Sequence, residues 1–258
     1  MIGDREKQAL ADLAAIIESL DLTVLLVGAG ARFLIFDLRF KVEGRGTKDW
    51  DVAIPLESWQ DYQTLCETLV AGNSPCFKTT EILHRFEHVA TQITVDIVPF
   101  GKIGEPSQEI VWPCSGNLMN VLGFSEAMSQ AESVQLSDDF AIRVVNISSF
   151  IVLKVFAWGD RGERTNKDLE DIELILARYE DDERAYEELS QQLASGEINL
   201  LDASIYLLGQ DIGRKFQQNT LLKLNELLER LIQKYDGDEV KSLGYNLKIL
   251  QRGIQSAN

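Results

Sequence analysis

The hydrophobic pattern of this chain changes character after Asn146, from mixed strand-like and helix-like runs to helical spacing alone, and that change constrains the fold more than any other feature. Before it, short apolar or alternating runs stand between glycine and proline turns. After it, apolar residues recur three and four positions apart. A period of two sends side chains to opposite faces of a strand, whereas a period of 3.6 stacks them on one face of a helix. The pattern therefore predicts an α+β head over residues 1–146 and an α-helical unit over residues 147–258.

Within the head, Leu10, Leu13, Ala14, Ile17 and Leu20 mark an opening amphipathic helix. A short apolar strand, Thr23 to Val27, runs into Gly28-Ala29-Gly30-Ala31, where small residues let the backbone turn tightly into a helix over Arg32 to Leu38. A second strand is expected from Asp49 to Ile54, stopped by Pro55, and a helix from Ser58 to Val70. Strands are expected at Glu81 to Glu87, Thr91 to Val98 and Glu109 to Trp112, with one or two more over Ser137 to Val145, and Pro99 to Pro106 reads as a loop. The second part should hold helices at Ser148 to Ala157, Lys167 to Tyr179, Tyr186 to Ala194, Leu200 to Leu208 and Thr220 to Tyr235.

Bulk properties narrow the function classes. A length of 258 residues with 45% hydrophobic content suits one good core and a smaller second one. No run approaches the roughly 20 apolar residues that cross a bilayer, so a soluble cytoplasmic protein with no membrane partner is expected. Cys66, Cys76 and Cys114 are odd in number and widely spaced, and read as small buried hydrophobes or free thiols. A net charge of -16 argues against nonspecific coating of nucleic acid, which depends on neutralising phosphates.

The densest chemistry is Asp49-Trp50-Asp51 on a predicted strand. Residues i and i+2 share a face, so two carboxylates come together there while Trp50 and Val52 face the core. Two like charges that close need a cation, and hard oxygen ligands with room for phosphate and water suit Mg²⁺. In Gln92 to Val98 the apolar Ile93, Val95 and Ile97 alternate with Thr94 and Asp96, which turns Asp96 off the core face. Beside Asp49 and Asp51 it would complete a site able to hold two metal ions and to take a proton from an attacking hydroxyl. Asp-x-Asp alone reads better as a solvated strand end. Its coupling to the glycine turn, whose backbone N-H groups can approach a triphosphate, and to a later strand aspartate reverses that preference.

A third cluster falls in the helical part. Lys154, Trp158 and Arg161 recur at i, i+4 and i+7, one helix face, and can project cations toward phosphates. Asp168 and Asp171 follow at i and i+3, and Lys167 and Asp171 suit an ordinary surface ion pair equally well. His84-Arg85-Phe86-Glu87-His88 lacks the His-Glu-x-x-His order of a helical zinc site and lies in strand-like sequence, so no zinc is expected there.

With these residues in place, the chain resembles the nucleotidyltransferase superfamily of the polymerase-β type, and within it the AbiEii/AbiGii toxin-like group. The resemblance rests on Val27-Gly28-Ala29-Gly30-Ala31-Arg32, Thr47-Lys48-Asp49-Trp50-Asp51-Val52-Ala53, Val95-Asp96-Ile97-Val98-Pro99-Phe100-Gly101, and Lys154 with Ala157-Trp158-Gly159-Asp160-Arg161 and Lys167-Asp168-Leu169-Glu170-Asp171. It implies a mixed sheet flanked by helices, with the helical unit completing the cleft, and transfer of a nucleoside monophosphate from an NTP with Mg²⁺, two ions included. It further implies Asp49, Asp51 and Asp96 on metal, and Lys154 and Arg161 as catalytic cations. Gly28, Gly30, Arg32, Thr47, Lys48, Trp158, Asp168 and Asp171 would line the nucleotide. An RNA or tRNA 3′ end as acceptor and a cognate antitoxin as partner also follow from the resemblance. Two other readings remain open: a small-molecule or protein acceptor at the same site, and a noncatalytic nucleotide-binding interaction module.

Overall fold

The computed structural model describes residues 2–113, 115–237 and 239–257; Cys114, read above as a thiol without chemistry, lies outside them. The chain divides into two compact units, one running through Phe150 and the other from Ile151. The division falls within a helix, a few residues beyond the change of pattern at Asn146.

The first unit opens with helix α1, Asp4–Glu18, which buries Ala9, Leu10, Leu13 and Ile17 on one face. Strand β1, Leu25–Val27, is buried throughout and leads into a helical stretch with three parts. These are α2, Gly28–Arg32, a π-helical turn over Phe33–Asp37, and α3, Leu38–Phe40, ended by Lys41 at a φ of 52°. The widened turn lets positions five apart meet, and Arg32 clasps Asp37 there. Strand β2, Asp49–Pro55, and helix α4, Trp59–Leu69, follow, the helix capped by the Ser58 hydroxyl accepting from the Asp61 N-H. Next come β3, Phe77–Thr79, β4, Arg85–His88, and β5, Thr94–Phe100. A separate ribbon joins β6, Glu109–Val111, to β7, Leu118–Asn120. Helix α5, Phe124–Ser129, and the hairpin of β8, Glu132–Ser137, and β9, Phe140–Val144, complete the unit.

Seven strands form one mixed sheet in the order β3-β4-β5-β2-β1-β9-β8. Strand β2 runs antiparallel to β1 and parallel to β5, and β1 runs parallel to β9. Central strands covered on both faces lose the simple alternation. Thus β5 is buried from Val95 to Phe100, and the inner end of β2 buries Val52, Ala53 and Ile54 in succession.

Several expected boundaries move. Strand β5 continues through Pro99, because β4 pairs only with Thr94 to Asp96 and demands no N-H at residue 99. Residues 81–84 are turn rather than strand, β3 and β7 were not anticipated, and of the one or two strands expected over Ser137 to Val145, β9 lies there while β8 ends at Ser137.

The second unit begins within α6, Ile147–Arg161, and continues with α7, Lys167–Arg178, α8, Asp182–Glu188, α9, Ser190–Ser195, α10, Leu200–Lys215, α11, Gln218–Lys234, and α12, Leu243–Ser256. The single helix expected over Tyr186 to Ala194 is broken at Leu189, and α12, capped by Ser242, was not expected. Helices α10 and α12 cross with their backbones in contact. A methyl group on Gly209 would lie 2.2 Å from the Leu250 carbonyl oxygen, and one on Gly253 would lie 2.1 Å from that of Tyr206.

Candidate active site

Sheet register assembles the acidic side chains. Asp51 on β2 lies directly opposite Asp96 on β5, and Asp49 stands two residues along on the same face of β2. Trp50, between them, turns to the other face and is buried. The three carboxylates therefore occupy one patch of one sheet face, at the end of β2 nearest the Gly28 bend.

That bend is fixed by two glycines with different duties. Gly28 has a φ of 67°, and a methyl group on it would lie 2.0 Å from Asp51 Oδ2, so the chain must have no side chain here to bring its backbone against that carboxylate. Gly30 makes room for the Trp50 ring, which a methyl group would approach to 2.6 Å. The first glycine brings backbone to the acidic patch, and the second lets α2 lie flat on β2.

The loop before β2 is also held from beneath. Arg32, expected at the nucleotide, is instead fully buried, forked onto Asp37 and donating to the Arg45 carbonyl at 2.7 Å. A side chain on Gly44 would strike its guanidinium. Arg32 thus anchors the strand entry that sets Asp49. Thr47 donates to the Asp49 carbonyl at 2.8 Å, and Lys48 is exposed.

One group in the patch was not foreseen. Arg85 on β4 is the register partner of Asp96. Its Nε donates to Asp96 Oδ1 at 2.7 Å and its Nη2 to Asp96 Oδ2 at 2.7 Å, and the same nitrogen reaches Asp49 Oδ2 at 2.6 Å. The two-point fork onto Asp96 is the strong form of an arginine–carboxylate pair, and the contact with Asp49 adds to it. Arg85 was seen in sequence only as part of a failed zinc motif. Its signal was a cation at a period-two position beside Phe86.

The donor chemistry of Asp49, Asp51 and Asp96 suits a hard divalent ion, but their arrangement does not fit one. Arg85 engages oxygens of two of them, and among the described residues no group of three His, Cys, Asp or Glu side chains is disposed to hold a metal. No chemical step is therefore routed through an ion.

Aromatic side chains gather near the patch. The rings of His84 and Trp112 lie 5.0 Å apart, and Trp112 meets Trp59 at 5.6 Å and Tyr62 at 5.8 Å. Burial lowers the His84 pKa, with Arg85 adding to this and Asp96 opposing it. Burial likewise raises the Tyr62 phenol, with the charge of Asp96 contributing, and pushes the Cys66 thiol up to about 11. His88, by contrast, is buried between Thr91 and Asp12.

In the second unit, Lys154 and Arg161 meet the two aspartates of α7. Lys154 Nζ lies 2.9 Å from Asp168 and 2.7 Å from Asp171, and Arg161 forks onto Asp168 at 2.7 and 2.9 Å. Both aspartates are completely buried, so of the two readings open for Lys167 and Asp171 the surface ion pair does not form; Lys167 is exposed. Burial alone would raise the Asp168 pKa, but the Arg161 hydrogen bonds and the charges of Lys154 and Arg161 hold it below the usual carboxylate value. Trp158 is buried, with Arg230 5.4 Å and Lys234 5.9 Å from its ring centre.

Among the described residues no helix is long and apolar enough to cross a membrane. No family model matches the sequence, and no curated protein does. Among solved structures, the chain is similar to an antigenic nucleotidyltransferase-like protein from Paracoccidioides brasiliensis, with a TM-score of 0.51 and 15% identity over 96% of this chain and 94% of that one. It also aligns with the antibiotic-resistance factor ANT(2'')-Ia, with a TM-score of 0.41 and 13% identity over 76% of this chain and 97% of that one. The first likeness is one of fold: a mixed sheet flanked by helices, followed by C-terminal helices. The second is too loose to extend it.

Proposed function

We propose that this chain is a nucleotidyltransferase, moving a nucleoside monophosphate from an NTP to a hydroxyl acceptor at the acidic patch of its sheet. The observation that carries the reading is the convergence of Asp49, Asp51 and Asp96 on one sheet face beside the Gly28 bend, within a nucleotidyltransferase-like fold. In the reaction the acceptor oxygen bonds to the α-phosphorus, the bond to pyrophosphate breaks, and the hydroxyl proton passes to a carboxylate, a role assigned here to Asp96. The backbone at Gly28 and Gly30 would lie along the phosphates.

The acceptor divides into two readings. The resemblance to the AbiEii/AbiGii toxin-like group favours an RNA or tRNA 3′ end, a toxin role and an antitoxin partner. The net charge of -16 favours a small hydroxyl compound, since a polyanion gains nothing from so acidic a protein.

The test is to incubate the protein with each α-labelled NTP and a panel of tRNA, aminoglycosides and cell extract, and to follow the label. Asp51→Asn should abolish incorporation, a fall of at least about 100-fold, while leaving the thermal midpoint within a few degrees. Full activity of Asp51→Asn, or no labelled product with any acceptor, would overturn the proposal.

A further inference from the structure

We infer that the helical unit carries a binding site of its own, a pocket for an alkylammonium or alkylguanidinium group, between the end of α7, the start of α10 and the first turn of α12. Nothing in this pocket depends on the nucleotidyl-transfer reading, because every residue that lines it belongs to the second unit. The cavity measures about 140 Å³. A cavity of about 150 Å³ admits benzene, so this one suits a ligand of about six heavy atoms. Its apolar lining comes from Leu176 and Ile205, which are buried, and from Leu200 and Leu201, which stand 43% and 65% exposed at the rim.

The polar lining selects the head of the ligand. Asn246 is 2% exposed, and its Nδ2 donates to the Leu176 carbonyl at 3.2 Å and to the Lys241 carbonyl at 3.4 Å. Those two carbonyls fix which way the amide faces. Asn246 Oδ1 is turned from them, and among the described residues it meets no donor. A buried acceptor left in this way calls for an N-H from a ligand. Glu180 and Asp182 line the same cavity and are exposed. Asp182 accepts from the Ser204 hydroxyl at 3.3 Å, and the Glu180 carboxylate meets no donor among the described residues. Against these two charges the lining sets one cation, Lys241. Helix α7 adds the negative end of its dipole, while the positive end of α10 is answered by its Asn199 cap and by Asp202 in its first turn. A cationic donor on a short aliphatic stem satisfies both the oxygen at the floor and the leucines at the rim.

The experiment is a titration of the full chain, labelled at its leucine and isoleucine methyls, with n-butylammonium, n-butylguanidinium and butyrate, followed by NMR. The two cations should shift the methyls of Leu176, Leu201 and Ile205 saturably, with a Kd on the order of 1 mM, and butyrate should bind at least about tenfold more weakly. Asn246→Leu removes the acceptor but also two hydrogen bonds inside the fold, so the exposed carboxylates provide the cleaner variant. Glu180→Gln combined with Asp182→Asn should weaken butylammonium about threefold or more while leaving the thermal midpoint in place. Shifts of equal size with butyrate, shifts scattered away from the pocket, or no saturation up to about 50 mM would refute the assignment. So would a folded double variant that binds butylammonium as wild type does. Butylammonium is the lysine side chain as a free molecule, and acetyl-Leu-Lys-amide separates the two sources of such a group. Binding of the peptide at least about tenfold more tightly than the amine assigns the pocket to a side chain of a partner protein, and equal or weaker binding assigns it to a free amine.

Discussion

A side chain at residue 28 would have to share space with the Asp51 carboxylate, and the backbone there already sits at a φ of 67°. Gly28→Ala should therefore lose transfer activity out of proportion to its stability, whose backbone term is about 1–2 kcal/mol. Gly30→Ala offers the contrast, because its added methyl meets the Trp50 ring in an ordinary backbone conformation. It should cost about 1–3 kcal/mol of packing, with a smaller loss of activity per unit of stability than Gly28→Ala, because residue 30 has no contact with Asp51 to disturb. Urea titrations of both variants beside label-incorporation rates check the distinction, and equal losses of activity per unit of stability would refute it. The three aspartates were legible in sequence because period two places them on a face whatever the rest of the sheet does. Arg85 was not, since its partners lie on two other strands and nothing in the linear pattern says that β4, β5 and β2 are neighbours in that order. Arg32 was misplaced for a related reason: the π-turn that carries it onto Asp37 leaves no mark in a helical pattern of apolar residues.

Helices α6 and α7 are joined by charge, which makes their association dependent on pH. The Asp168 carboxyl is held below its ordinary value of about 3.9, so its contribution to stability is fully present above that pH and is lost as pH falls through the lower folded value. Asp168→Asn should remove this part of the acid limb in a series of urea melts from neutral pH downward. It should also lower neutral stability by about 3 kcal/mol, the low end for breaking a buried pair, because Asp171 still faces Lys154. An acid limb identical to wild type would disprove the assignment. Helices α10 and α12 depend on the absence of side chains instead. Gly253→Val would drive two methyl groups toward the Tyr206 carbonyl, and Gly209 opposes Gly253 from the other helix. A loss of about 3 kcal/mol or more is expected by chemical denaturation, beyond ordinary overpacking because a helix backbone cannot rotate aside. The sequence pattern revealed α10 but not this contact: glycines inside a helical run read as weak points until the partner helix is known, and α12 itself was not foreseen.

At the scale of the whole chain, 41 acidic residues against 25 basic ones set the sign of every long-range encounter. A basic protein meeting RNA releases counterions, and its binding tightens steeply as salt is lowered. Here the protein and the polyanion repel, and dilution of salt lengthens the range of that repulsion from about 8 Å at physiological strength to about 30 Å at 0.01 M. Binding of a random single-stranded RNA, followed by fluorescence anisotropy, should therefore stay unsaturated at protein concentrations up to about 100 μM and should not improve as salt is removed. The chain divides at Phe150, four residues past the change of pattern at Asn146, and a core built from strands needs a different spacing from one built from helices. Charge, by contrast, constrains the partner without revealing it. A tRNA acceptor remains compatible with -16 only if its 3′ end is captured by a few local contacts during turnover. Should RNA instead bind more tightly at each lower salt, a basic surface outweighs the net charge, and the small-acceptor reading loses its physical basis.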